Sequence, residues 1–268
     1  MIEPTFQQGQ RGAIFQILHP PQGDRIRGAV IYLHPFAEEM NKARRMAALQ
    51  AERLANHGFA VLLPDHFGCG DSSGEFQDAS WDLWLADLAQ SAAWLQGRFP
   101  EAPLILWGLR TGCLLASDLI ALHGVAPARC VFWQPVAQGE VFLNQFLRLR
   151  VASSMISGQK ESAQELRRSL REGNGVEVAG YCLTNAVAEP LAKTRLLPPP
   201  CPVDWIEVVA DDGTGLSPGG QRLLDAWRNQ GARAEAGLVA GQPFWGTQPV
   251  YEVPALLNET ASRLLDAC

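Results

Sequence analysis

The sequence predicts an α/β fold with a doubly wound, mostly parallel sheet. Short apolar runs alternate with amphipathic segments of helical period, and the connections between them are brief. Several of the runs are nearly continuous in Val, Ile and Leu, as expected of strands covered by helices on both faces. The 268 residues approach the upper size for one cooperative core. They are 47% apolar and only 19% charged, against roughly 25% charged in average globular chains, which excludes a disordered chain and a coiled coil. A net charge of -6 provides no broad basic field and argues against a nucleic-acid partner.

In chain order, strands are expected at residues 13–18, 29–33, 59–63, 104–107, 130–133, 205–209 and 234–239. Ala43, Met46, Ala47, Ala51, Leu54 and Ala55 form one apolar stripe and mark a first helix. Trp81, Trp84, Leu85, Leu88, Ala92 and Leu95 mark a second, with Ser80 as N-cap and Asp82 favourable in its first turn. A third helix is expected over 111–122 and a last one over 254–265, opening on Pro254. Residues 137–200 break the rhythm: they hold no buried-strand run, only helical pieces around 141–155 and 162–171. They close on Leu196-Leu197-Pro198-Pro199-Pro200-Cys201-Pro202, a stiff polyproline-like connector. The expected organisation is a core of residues 1–136 and 201–268, with 137–200 inserted as a helical lid over the carboxyl edge of the sheet.

The turn after the strand at 104–107 reads Gly108-Leu109-Arg110-Thr111-Gly112. A strand, a G-x-x-x-G turn and a helix frame a nucleophile elbow, where small flanking residues allow a sharp turn. Here the central residue is Arg110, which stays protonated and cannot attack a carbonyl. His34-Pro35-Phe36 follows the strand at 29–33, where one oxyanion-hole amide belongs; Pro35 has no N–H, so Phe36 or Ala37 would donate, with the Thr111 amide as the second donor. The loop Asp65-His66-Phe67-Gly68-Cys69-Gly70-Asp71-Ser72 matches a structural D-x-x-G-x-G-x-S pattern in which Ser72 holds backbone. Its glycine spacing is only superficially that of a dinucleotide loop: it follows the wrong strand and lacks a fitting acidic partner.

These motifs resemble the α/β-hydrolase superfamily. Five segments resemble more narrowly its exosortase A system-associated hydrolase 2 group: His34-Pro35-Phe36-Ala37-Glu38-Glu39-Met40-Asn41-Lys42, Phe67-Gly68-Cys69-Gly70-Asp71-Ser72, Trp107-Gly108-Leu109-Arg110, Trp133-Gln134-Pro135-Val136 and Gln145-Phe146-Leu147-Arg148-Leu149-Arg150. The resemblance implies a bacterial cytoplasmic protein in an exosortase and exopolysaccharide setting, nominally a hydrolase. In that topology the triad acid follows the strand at 205–209, where Asp211-Asp212 stand, and a His follows the last strand. The five histidines are His19, His34, His57, His66 and His123, so the expected position, within 240–246, holds none. With neither nucleophile nor base, a Ser-His-Asp mechanism cannot be assembled in the normal way.

Each singular residue has a plain reading beside a sharper one. Arg110 is expected either to pair with Glu38, Glu39, Asp211 or Asp212, or to aim at a ligand carboxylate or phosphate from the pocket floor; the two are compatible. His66 and Cys69 form either a dyad for acyl transfer, or a buried thiol beside a backbone-bonded histidine. His34 is expected to shape the oxyanion turn. Phe142, Phe146, Leu147 and Val151 would line an apolar pocket or pack in the core. Arg148, Arg150, Arg167, Arg168 and Arg171 alternate with Glu140, Glu161, Glu165 and Glu172, as on a mixed solvated surface.

Two functions follow as expectations: binding of an acyl or anionic ligand, or of a partner protein, without turnover; or an unconventional ester or thioester hydrolase using the Phe36 and Thr111 amides with Cys69 and His66. No cofactor or metal is expected. The six cysteines form no C-x-x-C pair and suit buried free thiols in a reducing compartment. The opening residues have no cationic or apolar signal pattern, and no apolar run reaches the roughly 20 residues of a membrane span, so a cytoplasmic protein is expected.

Overall fold

The computed structural model describes residues 1–156, 161–210 and 215–267. In chain order it runs β1 (Glu3–Gln8), β2 (Ala13–His19), β3 (Gly28–Leu33), α1 (Ala37–Asn56), β4 (Phe59–Pro64), α2 (Trp81–Arg98), β5 (Leu104–Leu109), α3 (Thr111–His123) and β6 (Arg129–Trp133). There follow α4 (Gly139–Ile156), α5 (Ala163–Arg171), β7 (Val176–Val178), β8 (Tyr181–Leu183), α6 (Asn185–Lys193), β9 (Val203–Val209), α7 (Pro218–Asn229), β10 (Ala234–Ala240) and α8 (Pro254–Asp266). All seven strands expected from sequence are present. Every residue of β3, β4 and β5 is buried, which is why they read as unbroken apolar runs.

One sheet has the order β1-β2-β4-β3-β5-β6-β9-β10. β1 and β2 are antiparallel, β2 joins β4 antiparallel, and the remaining pairs are parallel. From β3 the chain steps outward to β4 and then back across to β5 on the other side of β3. The carboxyl ends of β3 and β5 therefore flank a topological switch point, the place where such sheets open a ligand crevice. One face carries α1 and α8 over Tyr32, Trp107, Trp133 and Phe244; the other carries α2, α3 and the inserted elements over Leu33, Trp84 and Phe132. No described helix is long and apolar enough to cross a membrane.

Ser80 caps α2 as expected, its Oγ accepting the Leu83 N–H at 3.1 Å. Ser80→Ala is expected to cost about 1 kcal/mol, read as a lower midpoint in urea; an unchanged midpoint would show that the cap is not needed.

The structure corrects the sequence reading in several places. β1 was not expected: it is an edge strand of alternating half-buried and exposed positions, too polar to register as a core run. The stretch expected to be wholly helical also contains the antiparallel β7–β8 hairpin, whose three-residue strands are too short to show a period. It ends with a third helix, α6, which tolerates Pro190 in its interior. Arg150 pairs with Glu161, Arg167 with Glu140 and Arg168 with Glu172, so that surface is mixed in charge.

Candidate functional site

The elbow forms where β5 meets α3. Arg110 sits there with φ 55° and ψ -117°, a sparsely populated region for a residue with a side chain. Its N–H donates to the Trp133 carbonyl at 3.0 Å and its own carbonyl accepts from Cys113 N at 3.1 Å, which ties the turn to β6 and to α3. Glycine is required on both sides. A β-carbon on Gly108 would stand 2.8 Å from Cys113 N, and one on Gly112 would overlap the Leu33 carbonyl. Ala37, the first residue of α1 after the β3 loop, and Gln134, just beyond β6, also have positive φ, 56° and 42°. Strain is thus gathered at the carboxyl ends of three neighbouring strands.

The Arg110 side chain lies against Glu39 in the first turn of α1. Its Nε and Nη2 both donate to Glu39 Oε1 at 3.2 Å. The guanidinium carbon stands 5.8 Å from the Phe142 ring centre and 5.6 Å from that of Trp245. Burial pushes the Glu39 carboxyl up, and Arg110 and Lys42 oppose that push. Glu39 Oε2 is buried without a partner, and among the described residues Arg110 Nη1 has none either. Glu38 does not serve Arg110: it pairs with Lys42 at 2.7 Å, one turn along α1. Asp211 and Asp212 lie outside the described residues.

Phe36 is buried and ends the β3 loop as the residue before α1, with Thr111 opposite it as the first residue of α3. Neither backbone N–H has an acceptor among the described residues, and Thr111 Oγ1 is also unpartnered. The Phe36 ring packs against Phe142 and Phe146 at 5.5 and 5.6 Å, so these inserted side chains join the core over the elbow. Leu147 is buried with them and Val151 is half-buried against them.

Below this lies a buried polar knot. Asp65 accepts the Arg44 guanidinium at 3.0 Å and the Asp71 N–H at 3.0 Å, with His34 Nε2 at 3.8 Å. Ser72 holds backbone as expected, donating to the Asp65 carbonyl and accepting from Phe15 N, both at 2.9 Å. Burial holds the His34 pKa well below the usual value, which favours the neutral ring. His66 lies flat on Trp84, ring centres 5.1 Å apart, and its Nε2 meets the His34 carbonyl at 3.2 Å. That bond needs the proton on Nε2. Nδ1 is buried with no partner among the described residues.

Among the described residues no hydrogen bond joins the Cys69 thiol to the His66 imidazole. His66 is committed to backbone, burial holds it down to about 4, and burial pushes the Cys69 thiol up to about 12. A thiol so placed is not a nucleophile at neutral pH, because the thiolate is the reactive form. An i to i+3 turn joins the two residues through Cys69 N and the His66 carbonyl at 2.9 Å. Sequence reasoning missed Trp245. It lies in the stretch searched for a histidine, and an aromatic face is the other group that suits a guanidinium there.

A family model for serine aminopeptidase, S33, matches residues 24–197, nearly two thirds of the chain. The chain is similar in structure to Est1E from Butyrivibrio proteoclasticus, solved with ferulic acid, at TM-score 0.72 and 15% identity over 98% of each chain. It is similar to a thermostable carboxyl esterase from Bacillus coagulans in complex with glycerol, at TM-score 0.67 and 12% identity, covering 99% of this chain and 97% of that one. It is also similar to an α/β serine hydrolase without a lid from Xanthomonas campestris, at TM-score 0.60 and 15% identity, covering 99% and 92%. At such identities the likeness shows the fold alone. No curated protein matches the sequence. The family match spans the β3 loop, the elbow and the inserted helices, and on it the chain belongs to the serine aminopeptidase S33 family of α/β-hydrolase-fold proteins.

Proposed function

We propose that this chain binds a small carboxylate-bearing acyl compound at the elbow and does not hydrolyse it by a Ser-His-Asp mechanism. One observation carries the reading: the nucleophile position, on a strained turn, is taken by Arg110, with one guanidinium edge held by Glu39 and Nη1 without a partner among the described residues. Glu39 neutralises the arginine but also orients it. The Phe36 and Thr111 amides, unpaired among the described residues, and the N-terminus of α3 then favour negative charge beside it. Phe142 and Trp245 flank the guanidinium, and Phe36 and Phe146 pack against Phe142, so the arginine stands in buried apolar surroundings that an acyl chain would have to part.

Calorimetry with straight-chain carboxylates of four to twelve carbons tests this directly, beside p-nitrophenyl esters and acyl thioesters of the same lengths. Binding is expected for the carboxylates and no turnover for the esters or thioesters. Arg110→Ala is expected to weaken binding 10- to 100-fold, the worth of a charge-assisted hydrogen bond. Because that change strands Glu39, Arg110→Ala/Glu39→Gln is the matched control and should bind as weakly while regaining stability. Ester turnover lost on Cys69→Ala, or carboxylate affinity unchanged in both arginine variants, would overturn the proposal.

The five resembling segments further support placing the chain in the exosortase A system-associated hydrolase 2 group. A cytoplasmic role and a protein partner in exopolysaccharide assembly go with that placement. Gene neighbours encoding an exosortase would support it, and a genome lacking one would remove it.

A further inference from the structure

Two cysteines meet at the opposite end of the sheet from the elbow. Cys130 is the second residue of β6 and is completely buried; Cys201 stands two residues before β9, after Pro198-Pro199-Pro200. Their sulfurs are 3.7 Å apart. That is contact distance, a short approach from the roughly 2.05 Å of a disulfide. Cys201 also lines a surface cavity of about 240 Å³ with Pro199, Pro200, Gln230 and Arg233. Cys201, itself largely buried, lines that cavity, and Cys130 does not.

We propose that Cys201 and Cys130 form a thiol redox pair, in which a hydroperoxide entering this cavity oxidises Cys201 and Cys130 resolves it as an intramolecular disulfide. The division of roles follows the surroundings. Either sulfur can donate in this contact; with Cys130 as the donor, that bond and the Arg233 and Arg129 guanidinium groups favour the Cys201 thiolate, and burial opposes them. Burial holds the proton on Cys130, and the Asp204 carboxylate nearby acts in the same direction. Asp204 is itself tied by Arg129 and Arg263.

In the first step the Cys201 thiolate attacks the distal peroxide oxygen. The S–O bond forms, the O–O bond breaks, and the leaving oxygen takes a proton and departs as an alcohol, or as water from hydrogen peroxide. In the second step Cys130 gives up its proton and attacks the sulfenic sulfur. The S–S bond forms, the S–O bond breaks, and the oxygen leaves with that proton as water. Two thiols are oxidised by two electrons in all, and one peroxide is reduced.

The bond would close a loop holding α4, α5, the β7–β8 hairpin and α6, and would tie the return of that whole segment to β6. Cross-linking residues so far apart in sequence restricts the unfolded chain strongly, so the oxidised protein is expected to melt several degrees higher than the reduced one.

The test is one equivalent of hydrogen peroxide on the native protein, followed by alkylation and non-reducing peptide mapping. A linked Cys130–Cys201 peptide, lost on reduction, is expected. In Cys130→Ala, dimedone should label Cys201 as a trapped sulfenic acid, whereas Cys201→Ala should leave Cys130 unlabelled. If Cys130→Ala does not fold, the wild-type peptide map and melting shift decide alone. Equal alkylation of both cysteines before and after peroxide overturns the proposal. So does oxidation of the half-buried Cys182 ahead of the pair.

Discussion

Acidification from pH 6.5 to 4 is expected to remove about 3 kcal/mol of stability through His66 alone. Burial against Trp84 brings its folded pKa to about 4, against about 6.5 in the unfolded chain. Between those values the unfolded state binds a proton that the folded state refuses, so stability rises with pH across the window. The contribution is complete above pH 6.5 and is lost as pH falls toward 4. His34, also completely buried and also held well below its usual value, acts in the same direction. Urea denaturation of wild type and His66→Phe at several pH values between 7.5 and 4.5 reads the effect. The phenyl ring keeps the stacking on Trp84 and removes the titration, so the slope of stability against pH should fall. Equal slopes for the two proteins would show that His66 is protonated in the folded state.

Gly112→Ala is expected to cost about 3 kcal/mol or more, because the new methyl group would overlap a backbone oxygen, Leu33 O, which cannot rotate away. Either α3 moves off the sheet or β3 shifts, and each displaces Arg110 from Glu39. Gly97 in α2 is the internal contrast, since a β-carbon there meets nothing within 4 Å. Gly97→Ala is expected to stabilise by about 0.5 kcal/mol through the usual helix preference. Chemical denaturation of both variants checks the pair. A Gly112→Ala protein as stable as wild type would mean that the elbow has room it does not show.

The parallel strands were legible because helices bury both of their faces, which forces unbroken apolar runs on the sequence. The polar edge strand β1 and the short β7–β8 hairpin were not, since each is stabilised by pairing with a neighbour and not by its own composition. At the site, local spacing alone marked the elbow frame, the arginine within it and the two oxyanion-side amides. It could not choose between Glu38 and Glu39. Those neighbours point about 100° apart on a helix, and the start of α1 at Ala37 aims Glu39 at Arg110 and Glu38 at Lys42.

Other features of the site depend on residues far apart in sequence. Trp245 covers an arginine from well down the chain, and the sulfurs of Cys130 and Cys201 meet across the full length of the inserted segment. The partners of His66 are also tertiary: Trp84 and the His34 carbonyl engage its imidazole. The sequence by itself determined the buried parallel strands, the helices between them and the arginine at the elbow, because those follow from residue types at short range. Tertiary structure decided every partner, because a buried charge or ring is defined by what the fold brings to it.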